Sequence, residues 1–192
     1  LNVAGEENFK GKGVSACATC DGFFYKGKEV CVIGGGNTAF EDALFLTNFC
    51  PKVYLVHRRE GFRADAKNIA AAKANAKIEM IIPAVVDILE GTENALESVV
   101  LKNPQTGEKR TIKVQGVFVA IGSVPQTSFL KDSGIVLNEA GQVVVNERAQ
   151  TNIEGIFAAG DCTNTLYRQA VVAAGAGAKA GIEAAAYVNL LK

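Results

Sequence analysis

Val30-Cys31-Val32-Ile33, running into Gly34-Gly35-Gly36-Asn37-Thr38-Ala39, constrains the fold of this chain more than any other segment. A β-branched strand over 28–33 enters a glycine turn. A helix over 37–48 follows, with Phe40, Ala43, Leu44 and Leu46 on one face, and Pro51 ends it. Residues 52–57 read as the next buried strand. Strand, helix and strand at this spacing make a βαβ unit, which requires a parallel sheet. The turn has the pattern Gly34-x-Gly36-x-x-Ala39. In such a turn the first glycine permits the tight bend and the second lets backbone amides approach a pyrophosphate. A small third residue lets the helix pack on the strand. An anion there meets free N–H groups and the positive end of the helix dipole, so the turn reads as a nucleotide site.

The pattern then changes twice. A helix over 63–77 and a strand over 78–82 continue the first theme. Short strands over 85–89, 98–102 and 110–114, separated by Gly- and Asn-rich turns, make an antiparallel meander. A buried strand over 116–122 ends at Pro125. A second block follows: a strand over 142–146, a turn, buried strand and acidic terminus over 151–161, and one Ala-rich helix over 168–191. The expected fold class is α/β. Residues 1–122 make a three-layer dinucleotide-binding domain with a parallel sheet and an antiparallel β-meander, and 123–192 belong to a second domain.

The end of the second strand indicates which nucleotide. An NAD site places Asp or Glu there for the ribose 2′-OH. This chain has His57-Arg58-Arg59 and then Arg63, and guanidiniums suit a 2′-phosphate, which favours NADPH. Glu60 is the one residue there that fits a ribose. His57 reads as a nucleotide-site neighbour or a packed residue rather than a general base.

Cys17-Ala18-Thr19-Cys20 is a second chemical motif. Two cysteines three apart can close and reopen a small disulfide, and the thiolate form is favoured in such pairs. Zinc needs four ligands, and Cys31, Cys50, Cys162 and His57 form no second close pair, so no metal is expected. Asp21 has two readings: the first residue of an Asp-Gly turn, or a carboxylic acid that protonates a leaving thiolate. Five cysteines without a secreted framework favour a reducing, cytoplasmic setting. Lys+Arg and Asp+Glu are equal at 20 each, so charge gives no indication of a nucleic-acid partner. No apolar run approaches membrane-spanning length, and no membrane partner is expected.

Cys-Ala-Thr-Cys-Asp-Gly-Phe-Phe-Tyr, Gly-Gly-Gly-Asn-Thr-Ala and His-Arg-Arg-Glu-Gly-Phe-Arg together resemble the low-molecular-weight thioredoxin reductases. The likeness continues through Phe118-Val119-Ala120-Ile121-Gly122, Ile156-Phe157-Ala158-Ala159-Gly160-Asp161 and Tyr167-Arg168-Gln169-Ala170. The resemblance implies a homodimeric flavoenzyme in which NADPH reduces FAD, FAD reduces the dithiol, and the dithiol reduces thioredoxin. It implies that Cys17 and Cys20 are the redox pair and Asp21 the proton donor. Gly34, Gly36, Asn37, Thr38, Ala39, His57, Arg58, Arg59, Arg63, Ile121 and Gly122 would line the NADPH site. Gly160, Asp161, Arg168, Gln169 and Ala170 would touch FAD, which makes 123–192 the C-terminal part of a second, FAD-type dinucleotide-binding domain. The family also carries a glycine fingerprint for the FAD pyrophosphate near its N-terminus, and these residues hold none. The expectation is a chain without that segment, binding FAD weakly and not turning over alone, with apolar surface exposed on the 168–191 helix. The alternatives are the reductase portion of an alkyl hydroperoxide reductase flavoprotein, a small-molecule dithiol oxidase that does not use NADPH, and an inactive NADPH-binding module.

Overall fold

Val30, Cys31, Val32 and Ile33 are all buried, because both faces of the strand they form are covered. The computed structural model describes residues 1–191. The described elements run α1 (Glu6–Phe9), β1 (Val14–Ser15), α2 (Ala18–Asp21), β2 (Val30–Ile33), α3 (Asn37–Leu46), β3 (Val53–Val56), α4 (Ala66–Ala74), β4 (Ile78–Ile81), β5 (Val85–Gly91), β6 (Leu96–Lys102), β7 (Lys109–Lys113), β8 (Gly116–Val119) and α5 (Ala170–Leu190). Single 3-10 turns stand at Gly22–Tyr25 and Ser128–Leu130.

A parallel sheet in the order β1-β8-β2-β3-β4 lies at the centre of the first unit. Period-two alternation divides its side chains between two cores. Val30, Val32, Val53, Leu55 and Phe118 face the helices, where Phe40, Ala43 and Leu46 of α3 and Ala72 of α4 cover them. Cys31, Ile33, Val56 and Val117 face the other way, onto Leu89, Leu96, Val99, Leu101 and Ile112 of the antiparallel β5-β6-β7 sheet. The layers are therefore helices, parallel sheet and meander. Full burial of each large apolar side chain contributes roughly 1.5–3 kcal/mol, which makes the two cores the main support of the unit. Glu79 of β4 takes Lys52 at 2.8 Å and Arg110 of β7 at 2.7 Å, pinning one edge of the meander.

β1, β2 and β3 run parallel, so the chain leaves all three at one edge of the sheet. That edge carries α2, the glycine turn and the 57–65 loop.

The chain divides into two compact units, Leu1–Ile121 and the residues from Gly122 onward. The second unit departs from the sequence expectations. Residues 142–146 form no strand; Val143 makes only isolated bridges to Leu137 and Thr163. The strand expected within 151–161 is a single bridge, Gln150 to Phe157, and Ile156 is exposed. Gly155 and Gly160 adopt positive φ of 77° and 84°, which breaks the extended run on both sides.

α5 corrects a further expectation. It has 21 residues and a mean hydropathy of 1.2, long and apolar enough by composition to cross a membrane. Alanine, valine and isoleucine supply that index, and Lys179 and Glu183 interrupt the apolar run. Glu183 pairs with Arg148 at 2.8 Å. None of its side chains is classed as buried, and Val171, Ile182 and Val188 are exposed.

Candidate functional site

Cys17 and Cys20 are joined as a disulfide with Cα atoms 5.3 Å apart. Cys17 is the N-cap of α2, and its sulfur accepts the Cys20 N–H at 3.2 Å. Asp21 N–H donates to the Cys17 carbonyl at 3.1 Å, closing the turn. Cys20 is exposed and Cys17 half-buried. The Ser15 hydroxyl donates to Asp21 Oδ2 at 2.7 Å and accepts the Cys17 N–H at 3.0 Å. Immediately after the pair, Phe23 and Phe24 are 65% and 71% exposed, an apolar surface beside the disulfide.

The other cysteines differ. Burial pushes the Cys31 thiol far up, and it pushes Cys50 up to about 11 against the pull of Lys77. Neither forms thiolate readily near neutral pH. Cys162 is half-buried, with its thiol on the Ala159 carbonyl.

The glycine turn is built for a close approach. A Cβ at Gly34 would stand 2.7 Å from the Ala39 Cβ and against the Ala120 carbonyl. A Cβ at Gly35 would run into the His57 ring, 2.6 Å from Nε2, so the bare backbone packs against that ring. Gly36 is different: a Cβ there would meet nothing within 4 Å. Gly36 is also the N-cap of α3 and has no side-chain cap. Open space in front of an uncapped helix start is the cradle an anionic group fills.

The arginine loop is tied to that turn. Arg63 N–H donates to the Gly35 carbonyl at 2.8 Å. Asn37 Oδ1 accepts the Asp65 N–H at 2.7 Å, and Asn37 Nδ2 donates to Asp65 Oδ2 at 3.0 Å. The Asn37 side chain is therefore engaged with the loop, while Thr38 is exposed beside it. Arg58, Arg59 and Arg63 are all exposed. His57 is buried, lies tilted on Phe62 at 5.6 Å, and has Nε2 3.2 Å from the Gly61 carbonyl. Burial, aided by the three arginines and opposed by the Gly61 bond, moves its pKa down. It is a neutral packed ring supporting the turn. Ile121 is 55% exposed just past β8, and Gly122 has a φ of 103°.

In the second unit, Thr163 directs its N–H and its hydroxyl to the Gly160 carbonyl, at 3.0 and 2.7 Å. Asp161 is exposed. Arg168 donates to the Ser123 hydroxyl at 2.9 Å. Gln169 is the extended N-cap of α5, and Ala170 is its first residue.

Sequence reasoning missed Ser15, Asp65 and the Phe23–Phe24 pair. Ser15 carries a local signal, because a hydroxyl that accepts the N–H two residues on is a common serine turn. Asp65 is the N-cap of α4, but its side-chain partner is 28 residues away.

Residues 1–177 match the pyridine nucleotide-disulphide oxidoreductase family. The chain is 45% identical over 191 residues to a thioredoxin reductase of Helicobacter pylori, covering 97% of this chain and 61% of that protein. Among solved structures, the thioredoxin reductase of Streptococcus pyogenes is similar with a TM-score of 0.91 and 38% identity, over 98% of this chain and 61% of that one. The thioredoxin reductase of Giardia duodenalis gives a TM-score of 0.86 and 42% identity, over 98% and 62%. The chain thus spans about three-fifths of the length of the relatives it matches.

Proposed function

The chain belongs to the pyridine nucleotide-disulphide oxidoreductases, and from that premise we propose that it carries the nucleotide site and redox dithiol of an NADPH-dependent flavoprotein that reduces thioredoxin. One observation supports this most: a closed Cys17–Cys20 disulfide and an arginine-flanked glycine turn stand at the same edge of one parallel sheet. In α/β proteins that edge is where ligands bind.

In this reading residues 1–122 are the NADPH domain. The space at Gly36 and the start of α3 at Asn37 and Thr38 receive the pyrophosphate. Gly34 and Ala39 keep the turn tight, and His57 supports it from below. Arg58, Arg59 and Arg63 receive the 2′-phosphate, with Ile121 and Gly122 along the exit of β8. Residues 123–192 contribute Gly160, Asp161, Arg168, Gln169 and Ala170 to an FAD site. Bound flavin supplies the two-electron carrier between nicotinamide and disulfide. The Asp21 carboxyl gives its proton to a sulfur leaving the opened disulfide. One thiolate of the reduced pair then attacks the partner disulfide, forming a mixed disulfide. The second thiolate displaces the partner as a dithiol and Cys17–Cys20 closes, so two electrons leave. Phe23 and Phe24 offer the partner an apolar footing. A cytoplasmic homodimer completes the proposal.

The test is NADPH oxidation coupled to thioredoxin reduction, with FAD present, in the full-length gene product. Cys17→Ser and Cys20→Ser should each abolish thioredoxin reduction while leaving NADPH binding intact. Undiminished thioredoxin reduction in either variant overturns the role of the pair, and equal use of NADH overturns the arginine assignment.

A further inference from the structure

We propose that Ser15 is a positioning residue for the redox pair: its hydroxyl, donated to Asp21 Oδ2, holds that carboxyl in place to protonate the departing sulfur. The inference rests on the reading of Asp21 as the acid.

The geometry supports it in three steps. A serine hydroxyl has one hydrogen to give. Two acceptors are near: Asp21 Oδ2 at 2.7 Å and the Cys17 carbonyl at 3.4 Å. The shorter bond to a carboxylate is the stronger, so the hydrogen belongs to Asp21. The same oxygen accepts the Cys17 N–H at 3.0 Å. One atom thus ties the backbone of the first cysteine to the carboxyl four residues later.

The tie is anchored at its rigid end. Ser15 is the last residue of β1, in register with Phe118 of β8, and is 8% exposed. α2, by contrast, is four residues long, and Asp21 is its last. Within so short a helix the residue three before Asp21 is Ala18, whose side chain offers the carboxyl no hydrogen bond. Ser15 supplies the orientation from the strand.

The chemistry can be isolated from the nucleotide by using a small dithiol as reductant. A dithiothreitol thiolate attacks one sulfur of the pair, forming a mixed disulfide and breaking the Cys17–Cys20 bond. The leaving sulfur takes the Asp21 proton, and the carboxylate that remains keeps its bond from Ser15. The second thiol of the reagent then closes on its own sulfur and releases the dithiol.

The experiment measures the rate of that reduction in the full-length gene product without nicotinamide, trapping new thiols with iodoacetamide. Rates are taken between about pH 5 and 8 and divided by the reagent's thiolate fraction. In the wild type the normalised rate rises as pH falls. Ser15→Ala should lower it about tenfold at the acid end, the size expected when an acid catalyst is misplaced. Ser15→Thr should restore it, and Asp21→Asn should lower it at least as far. Ser15→Ala placed in the Asp21→Asn background should change the rate less than about twofold, because the two act as one unit. An equal tenfold loss in both backgrounds, or no loss from Ser15→Ala when Asp21→Asn is slow, overturns the proposal alone. An Asp21→Asn protein as fast as wild type overturns the acid reading beneath it. Ser15→Thr with a wild-type melting temperature but the Ala rate also overturns the proposal.

Discussion

Replacing Asn37 with alanine tests how the arginine loop is held over the glycine turn. The side chain makes two bonds to Asp65, at 2.7 and 3.0 Å, across 28 residues of sequence. Both residues are exposed, so water competes for these bonds. Each then contributes about 0.5–1.5 kcal/mol net, with the carboxylate bond at the upper end. The Arg63 bond to Gly35, at 2.8 Å, survives the substitution, so the loop loosens without coming away. An ordering cost of about 1.4 kcal/mol would appear on binding, which is tenfold in Kd. That cost falls only on a ligand that needs the loop. In the proposed site NADPH would reach it through the 2′-phosphate, and NADH would not. Titration calorimetry should therefore show NADPH binding weakened about tenfold and NADH binding changed less than about twofold. Equal weakening of both would mean that the Asn37 side chain, and not its backbone N–H alone, serves the shared pyrophosphate, and unchanged NADPH binding would mean that the loop needs no clamp. Either result refutes the reasoning. Asp65→Ala is the poorer probe, because it also removes a negative charge near the guanidiniums, which by itself strengthens phosphate binding.

The two glycines of the turn should behave oppositely. Gly36→Ala, whose Cβ meets open space, should leave the melting temperature almost unchanged yet abolish nucleotide binding. Gly34→Ala, forced against Ala39 and the Ala120 carbonyl, should lower stability by about 1–3 kcal/mol, read by urea denaturation. Burial, with Glu41 adding, pushes the Asp42 carboxyl up to about 6 from its ordinary 3.8. Its folded form therefore favours the proton, and stability from this group is lost as pH rises through about 6. Asp42→Asn should raise the melting temperature above that pH, and the gain should fade toward pH 3.8; a constant offset would refute the assignment. Phe24→Ala should leave stability intact, because the ring is 71% exposed, and raise KM for thioredoxin without lowering NADPH affinity. An unchanged KM removes Phe24 from the docking surface.

The parallel core was legible because burial on both faces leaves a nearly continuous apolar run. Val30 to Ile33 and Val53 to Val56 read directly as strands for that reason. The glycine turn was legible because its spacing is a backbone requirement. Helix starts were less so. The sequence reads as helical from Arg63, yet α4 begins at Ala66. The Arg63 N–H is held by Gly35 and the Asp65 N–H by Asn37, so bonds to a distant turn keep both residues out of the helix. Propensity in an Ala/Lys-rich stretch is worth only tenths of a kcal/mol per residue, about the size of one such bond or less.

The second unit shows the limit for strands. Val143, Val144 and Val145 have the residues of a strand, but side chains do not make a ladder. A strand exists when the N–H and C=O groups of a neighbour are in register with its own. Here the Val143 N–H goes to the Cys162 carbonyl, the Val144 N–H to Val136 and the Val145 N–H to the Asn164 side chain. Three neighbouring donors thus alternate between two segments, 162–164 and Val136, and the third meets a side chain instead of a backbone carbonyl. The valines record how readily this backbone would be buried. They do not record which backbone would lie beside it, and that is the information a sheet needs.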